Sequence, residues 1–239
     1  MTSGFRRTRS AVFVFRQTVT PFFMTSSVYY SSLCVSDMKS TIVLKNAVRE
    51  DSRELAKLSI MAGGNFFPFA FGRNAEAILS EVFRSTKTLT SYQKAQVVYV
   101  HDEIAGMVIG FTEGEQHSEL SETEKLFGKL LGVRGLWALV VMFFLPDFFG
   151  KAQPGEFYLY SIAVFPKYRG QGLGKILLEA VELKAKKQGF NTISLDVNGE
   201  NTRAITFYKQ AGYRIVDQVT PKLFRSTLGV VCRMEKIIP

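Results

Sequence analysis

The chain has 239 residues, 46% of them hydrophobic, with a formal net charge of +9, two cysteines and two histidines. That length suits one generous domain or a domain with an appendage, and the balance of apolar and charged residues excludes wholesale disorder. Cys34 and Cys232 are too few for a disulfide framework or a four-cysteine zinc site, and His101 and His117 are too few for a histidine-rich metal site, so no metal is expected.

Residues 1–37 are rich in Ser, Thr and Phe, and Arg6, Arg7, Arg9 and Arg16 face Asp37 alone, a net +3. They read as an N-terminal extension, disordered or targeting, ahead of a folded domain over residues 38–239. The expected location is cytoplasmic, with organelle targeting by the extension left open. The remaining +6 suits an anionic ligand. No zinc-finger spacing, RNA-recognition motif or dense Lys/Arg run accompanies it, so no nucleic acid is expected.

Within the domain, Ile42, Val43 and Leu44 predict a first strand between Thr41 and Val48. Asp51-Ser52-Arg53-Glu54 matches a capping box, with Asp51 expected to cap a helix that carries Leu55, Leu58 and Ala62 and stops at Gly63-Gly64. A second helix is expected over Asn74–Phe83. Gln96–Val100 and Ala105–Thr112 read as strands joined by a turn at His101-Asp102-Glu103, with His101 exposed at its tip. Residues from about 115 to 155 read as an insertion, polar to Glu124 and then helical and apolar from Leu126 to Leu145. Its uncharged run Gly135–Leu145 is shorter than the roughly 20 residues a bilayer-spanning helix needs. Phe157–Val164 predicts a strand buried on both faces. A helix over Gly172–Lys187, a strand over Thr192–Val197, a helix over Asn201–Ala211 and strands over Tyr213–Val216 and Gly229–Met234 complete the order.

The run Arg169-Gly170-Gln171-Gly172-Leu173-Gly174-Lys175 lies between a buried strand and a helix, where backbone N–H groups and the helix dipole converge on an anion. It is not a dinucleotide fingerprint, because no glycine stands at Lys175 or Leu177. It is not a phosphate-binding P-loop either, since Ile176 replaces the hydroxyl residue that would hold magnesium.

Arg169-x-x-Gly172-x-Gly174, preceded by the strand Tyr158–Val164 and Pro166, resembles the acetyl-coenzyme A pyrophosphate loop of the GCN5-related N-acetyltransferase (GNAT) family. Asn201-Thr-Arg-Ala204-Ile-Thr-Phe207-Tyr208-Lys-Gln-Ala-Gly212-Tyr213 resembles that family's second signature, one helix and one strand further on. The pair covers about residues 157–214. The resemblance implies an α/β (α+β) fold: a mixed, largely antiparallel twisted sheet of six to seven strands flanked by helices, with a helical insertion before the cofactor-binding strand. It also implies acetyl-coenzyme A as cosubstrate and an amine-bearing acceptor. The pantetheine arm would pair with the backbone of Ile162, Ala163 and Val164. The pyrophosphate would lie over the amides of Arg169, Gly170, Gln171, Gly172, Leu173, Gly174 and Lys175. Asn201 would stand near the pantetheine, and Tyr208 would be the general acid for the departing thiolate.

The residues themselves leave alternatives open. Ala204, Phe207, Tyr208 and Ala211 share one helical face, so Tyr208 also reads as a core aromatic. Asn201 also reads as an N-cap, and Gly212 reads as a helix terminator of positive φ. No carboxylate stands in the middle of the Tyr158–Val164 strand; Glu156 precedes it, and Asp196 on the next strand also reads as a surface residue. The general base is therefore unassigned, with a water relayed by Ser161 or Tyr160 as one route. The aromatic segments Gly64–Phe69 and Trp137–Phe149 read as a wall or lid over the acceptor, or as helices packed on the core. Two other functions stay open: a non-catalytic acyl-coenzyme A sensor, and a membrane-surface protein using residues 135–145. Monomer and homodimer are both compatible with the sequence.

Overall fold

A computed structural model describes residues 28–30, 42–132, 150–220 and 229–239. Most of the N-terminal extension and the whole apolar run Gly135–Leu145 lie outside the described residues, and with them the targeting, membrane-anchor and Trp137–Phe149 lid readings. No helix among the described residues is long and apolar enough to cross a membrane.

The strands are β1 (Val28–Tyr30), β2 (Ile42–Asn46), β3 (Ala95–Val100), β4 (Glu103–Thr112), β5 (Glu156–Val164), β6 (Thr192–Asn198), β7 (Arg214–Val219) and β8 (Val231–Ile237). They form one sheet in the order β1-β2-β3-β4-β5-β6-β8-β7. Every pairing is antiparallel except β5 with β6. The expected mixed, largely antiparallel sheet is therefore present, with the three-residue β1 added at one edge. His101 and Asp102 both have positive φ (49° and 62°), the two-residue hairpin geometry that matches strand twist, and His101 is exposed as expected.

The helices are α1 (Ser52–Gly63), α2 (Phe66–Phe71), α3 (Ala75–Arg84), α4 (Glu113–Leu131), α5 (Leu173–Lys187) and α6 (Thr202–Gln210). Three expectations need correction. Asp51 does not cap α1 through its side chain. A 3₁₀ turn over Arg49–Asp51 precedes the helix, and the Asp51 carboxylate reaches back to accept from the Val48 N–H (2.8 Å) and the Tyr99 hydroxyl (3.0 Å). The polar stretch before Glu124 is already helical. Thr112 Oγ1 accepts from Glu115 N and the Glu115 carboxylate accepts from Thr112 N, a capping box that starts α4 at Glu113. Finally, β5 is not buried on both faces throughout: Tyr160, Ile162 and Val164 are only half-buried.

The sheet separates two apolar layers. On one face α5 lays Leu173, Leu177, Leu178, Val181 and Ala185 against Val98, Val108, Phe157, Leu159 and Leu195. On the other, Leu55, Ala56 and Leu58 of α1 and Ile78, Leu79 and Phe83 of α3 cover Val97, Met107, Ile109 and Ala163. A fully buried leucine such as Leu177 contributes about 1.5–3 kcal/mol relative to exposure, so these two layers dominate the stability.

Two irregularities position the site. Strand β5 pairs with β6 only at Glu156, Phe157 and Tyr158; from Leu159 onward the two parallel strands diverge. Within the β4–β5 ladder, Ile109 faces Ser161 while Gly110 faces Leu159, so Tyr160 is an extra residue on β5 and the strand bends there. At Gly106 of β4 a Cβ would lie 2.6 Å from the Ala163 carbonyl oxygen, so only glycine permits this close approach of β4 to the bent part of β5.

Candidate functional site

The divergence of β5 and β6 opens a cleft of about 630 Å³, walled by α1 and α2 on one side and by the starts of α5 and α6 on the other. Ile162, Ala163, Val164, Arg169, Gly170, Gly172, Leu173, Gly174, Lys175, Asn201 and Tyr208 all line it; of the candidate residues only Gln171 does not.

Pro166–Tyr168 turns the chain out of β5, and Gly170 and Gly172 continue it with φ of +80° and +78°. Gly172 is the N-cap of α5 and has no side chain with which to cap it. Among the described residues the backbone N–H groups of 170–174 meet no backbone acceptor, and the first helical bonds run from Lys175 and Ile176 to Gly172. A fifteen-residue helix thus presents unpaired donors and the positive end of its dipole to the cleft. Lys175 is exposed beside Glu179 at 3.8 Å. Arg203, not singled out from the sequence, adds a third cation to the lining; its place two residues into the second signature was the available signal. The Arg169 guanidinium turns toward β5, donating to the Val164 carbonyl (3.1 Å) and resting against Met61 Sδ (3.4 Å).

On α6, Asn201 is the N-cap: its side-chain oxygen accepts from Ala204 N at 3.1 Å. Both readings of Asn201 are thus compatible with its position, since it caps the helix and lines the cleft. Tyr208 likewise combines two properties. It packs against Phe207 and Tyr213 in the core, and it lines the cleft. Burial holds its phenol well above the ordinary tyrosine value, so it stays protonated at neutral pH. Gly212 ends the helix at φ +94°, as its position predicted.

Asp196 is not a surface residue. Its side chain is 2% exposed and it lines the cleft. Oδ2 accepts from Gly150 N and from the Tyr158 hydroxyl, both at 2.8 Å, and Oδ1 faces Arg233 Nη1 at 3.4 Å. Burial raises its pKa, and those hydrogen bonds and the Arg233 charge only partly offset the rise. The same burial, with the Asp196 charge second, keeps Tyr158 protonated. Arg233 on β8 also binds Glu156 Oε2 (2.6 Å), Ser194 Oγ (2.9 Å) and the Lys151 carbonyl (3.1 Å). Charged residues 37 and 77 positions apart in sequence thus meet behind the cleft, which no local pattern announces. The Tyr160 phenol, which also lines the cleft and packs against Phe111, is pushed up to about 12 by burial alone.

The α1–α2 wall is built from Ser59, Met61, Ala62, Gly63, Phe66 and Phe67. Segment Gly64–Phe69, expected as an aromatic rim, turns out as the short helix α2, in which Phe67 is buried and Phe66 half-buried. Phe71 stacks on Phe127 of α4 (5.1 Å between ring centroids), so α2 is both cleft wall and core.

A model of the acetyltransferase (GNAT) family matches residues 68–213. The ribosomal protein bS18-alanine N-acetyltransferase of Escherichia coli (strain K12) is 42% identical over 55 residues, 23% of this chain and 37% of that protein. The chain thus spans little more than a third of the length of this curated relative. A crystal structure of an acetyltransferase superposes with a TM-score of 0.63 at 23% identity, over 82% of this chain and 99% of that one. Arabidopsis thaliana Naa50, solved with the bisubstrate analogue CoA-Ac-MVNAL, superposes with a TM-score of 0.50 at 19% identity, over 82% and 97% of the two chains. These two structural likenesses speak to the fold.

Proposed function

The chain belongs to the acetyltransferase (GNAT) family, and from that premise we propose that it transfers an acetyl group from acetyl-coenzyme A to a primary amine by direct attack. The observation that carries this reading is the meeting, in one cleft, of an uncapped helix N-terminus, a strand edge freed by the β5–β6 divergence, and a buried phenol. When bound, acetyl-coenzyme A supplies the acyl thioester that the amine attacks.

The chain's residues divide the work by their chemistry. The amides of Gly170 through Lys175 and the charges of Arg169 and Lys175 suit the diphosphate. The backbone of Ile162, Ala163 and Val164 offers an unpaired strand edge to an extended amide-bearing chain. For Val164 this requires Arg169 to release the carbonyl it now holds. Asn201 stands at the same wall. Tyr208, kept protonated by burial, donates its proton toward the departing sulfur. The acceptor ammonium must lose a proton before it attacks, since a free alkyl ammonium titrates near ~10.4. Among the described lining residues, Asp196 is the carboxylate that can take it, directly or through one water.

Replacement of Tyr208 by Phe tests the reading. Turnover, followed as thiol release, is expected to fall by roughly 10²–10⁴-fold while coenzyme A binding by calorimetry is retained. Undiminished turnover overturns the general-acid role. Coenzyme A binding without thiol release toward any amine, in the unaltered protein, would leave an acyl-coenzyme A-binding module.

A further inference from the structure

Two hydroxyl groups in the cleft are buried without a hydrogen-bond partner among the described residues: Ser59 Oγ on α1 and Ser161 Oγ on β5. Ser59 is 2% exposed and Ser161 8%. Both line the cleft, and α1 packs directly on β5. A buried hydroxyl normally finds a partner, because leaving it unmade forfeits the hydrogen bonds it had with water. Two such groups on packed elements that both line the cleft leave unused hydrogen-bonding capacity in its wall for a polar ligand atom. Their wall is otherwise apolar, formed by Met61, Phe66, Phe67 and the ring of Tyr160. Among the described lining residues Asp196 is the one carboxylate, whereas Arg169, Lys175 and Arg203 are cations. A polyamine would bring further positive charges that find no second carboxylate among the described lining residues.

Resting on the acetyl-transfer reading, we propose that Ser59 and Ser161 form the polar subsite for the acceptor, and that the acceptor is a singly charged amine. It carries a neutral hydrogen-bonding group, such as a carboxamide, held by the two hydroxyls, and an apolar substituent laid against Phe66 and Phe67. The ammonium meets Asp196. Serine hydroxyls both donate and accept, so they match an amide, which presents a carbonyl and an N–H together.

The test uses a matched pair of amines, leucinamide and 3-methylbutylamine, which differ by the carboxamide, with spermidine as the polycation. The full chain is expected to prefer leucinamide to spermidine. In Ser59→Ala/Ser161→Ala the ratio of kcat/KM for leucinamide over 3-methylbutylamine is expected to fall by roughly tenfold or more, carried by KM. Each lost hydrogen bond accounts for about threefold to tenfold of that fall. Comparing ratios cancels the different basicities of the two amines and any general loss of activity. Ser59→Thr/Ser161→Thr, which keeps both hydroxyls, is expected to restore the ratio. A ratio unchanged by the alanine variant means the hydroxyls hold no more than water, and it overturns the proposal; so does a preference for spermidine. Calorimetry with the inert N-acetyl-leucinamide separates this from failure of the enzymatic reading. Serine-dependent binding without turnover sustains the subsite and defeats the acetyl transfer, whereas turnover with a serine-independent ratio does the reverse.

Discussion

Tyr208 and Asp196 approach the cleft from neighbouring elements, and burial moves both pKa values in the same direction with opposite consequences. For the phenol, desolvation secures the proton that an acid must hold. For the carboxylate, it strengthens the base, and the Arg233 charge at 3.4 Å offsets only part of the rise. Activity that needs ionised Asp196 therefore gains as pH climbs through a value above that of ordinary aspartate. Asp196→Asn is expected to lower kcat/KM at neutral pH by about 10²-fold or more and to abolish that acidic limb. Only the alkaline rise from deprotonation of the amine itself would remain, and a pH–rate profile reads the difference. The same raised pKa means that the folded state binds the proton more tightly than the unfolded chain. Its contribution to stability is thus full at low pH and declines as pH rises through the folded-state value. Nothing local distinguishes Asp196 from a solvent-facing aspartate, because strand alternation tells which face a residue shares but not what covers that face.

At the scale of elements, the turn into α5 was legible because its demands are local. Gly172 needs positive φ, and the added Cβ of a larger residue would find open space around it, so the penalty for replacing it is purely conformational. Gly172→Val is expected to strain the turn by about 1–2 kcal/mol or more and to weaken coenzyme A binding about tenfold. Coenzyme A titration by calorimetry measures the loss, while thermal unfolding reports the strain. Gly106 is the contrast, a glycine demanded by a neighbouring strand's carbonyl rather than by its own dihedrals, and nothing adjacent to it in sequence says so. The capping box at Thr112-x-x-Glu115 is equally local and starts α4 at Glu113, eleven residues upstream of Glu124, in spite of the polarity of that stretch. Asp51 erred the other way: the motif was present, but its carboxylate serves the turn preceding the helix and the Tyr99 hydroxyl across the sheet.

For the molecule as a whole, the divergence of β5 from β6 is the decisive feature, and the two strands are tied together behind it. Arg233 on β8 ties Glu156 at the start of β5 to Ser194 on β6, where the two strands are still paired, and to Asp196 just beyond the last pair. Its side chain is 5% exposed, and removing the cation leaves buried carboxylates without it. Arg233→Met is expected to cost about 3–5 kcal/mol, read from the urea midpoint at constant m-value. Reconstruction of the pair as an apolar contact, with Glu156→Leu added, is expected to recover part of that loss.

By itself the sequence determined the order of the strands from β2 to β8 and of α1, α3, α5 and α6 among them, the glycine turn at Arg169–Lys175, the cap at Asn201 and the placement of Tyr208 on a helix face. Each follows from dihedral preference, side-chain periodicity or capping chemistry within a dozen residues. Only the tertiary structure decided that Asp196 is buried against Tyr158 and Arg233, that Ser59 and Ser161 share a cleft without partners, and that Arg169 turns to Val164. Those outcomes depend on which elements lie side by side after folding. Burial and proximity are properties of packed surfaces, and residues from 59 to 233 acquire them together only when the sheet bends and parts between β5 and β6.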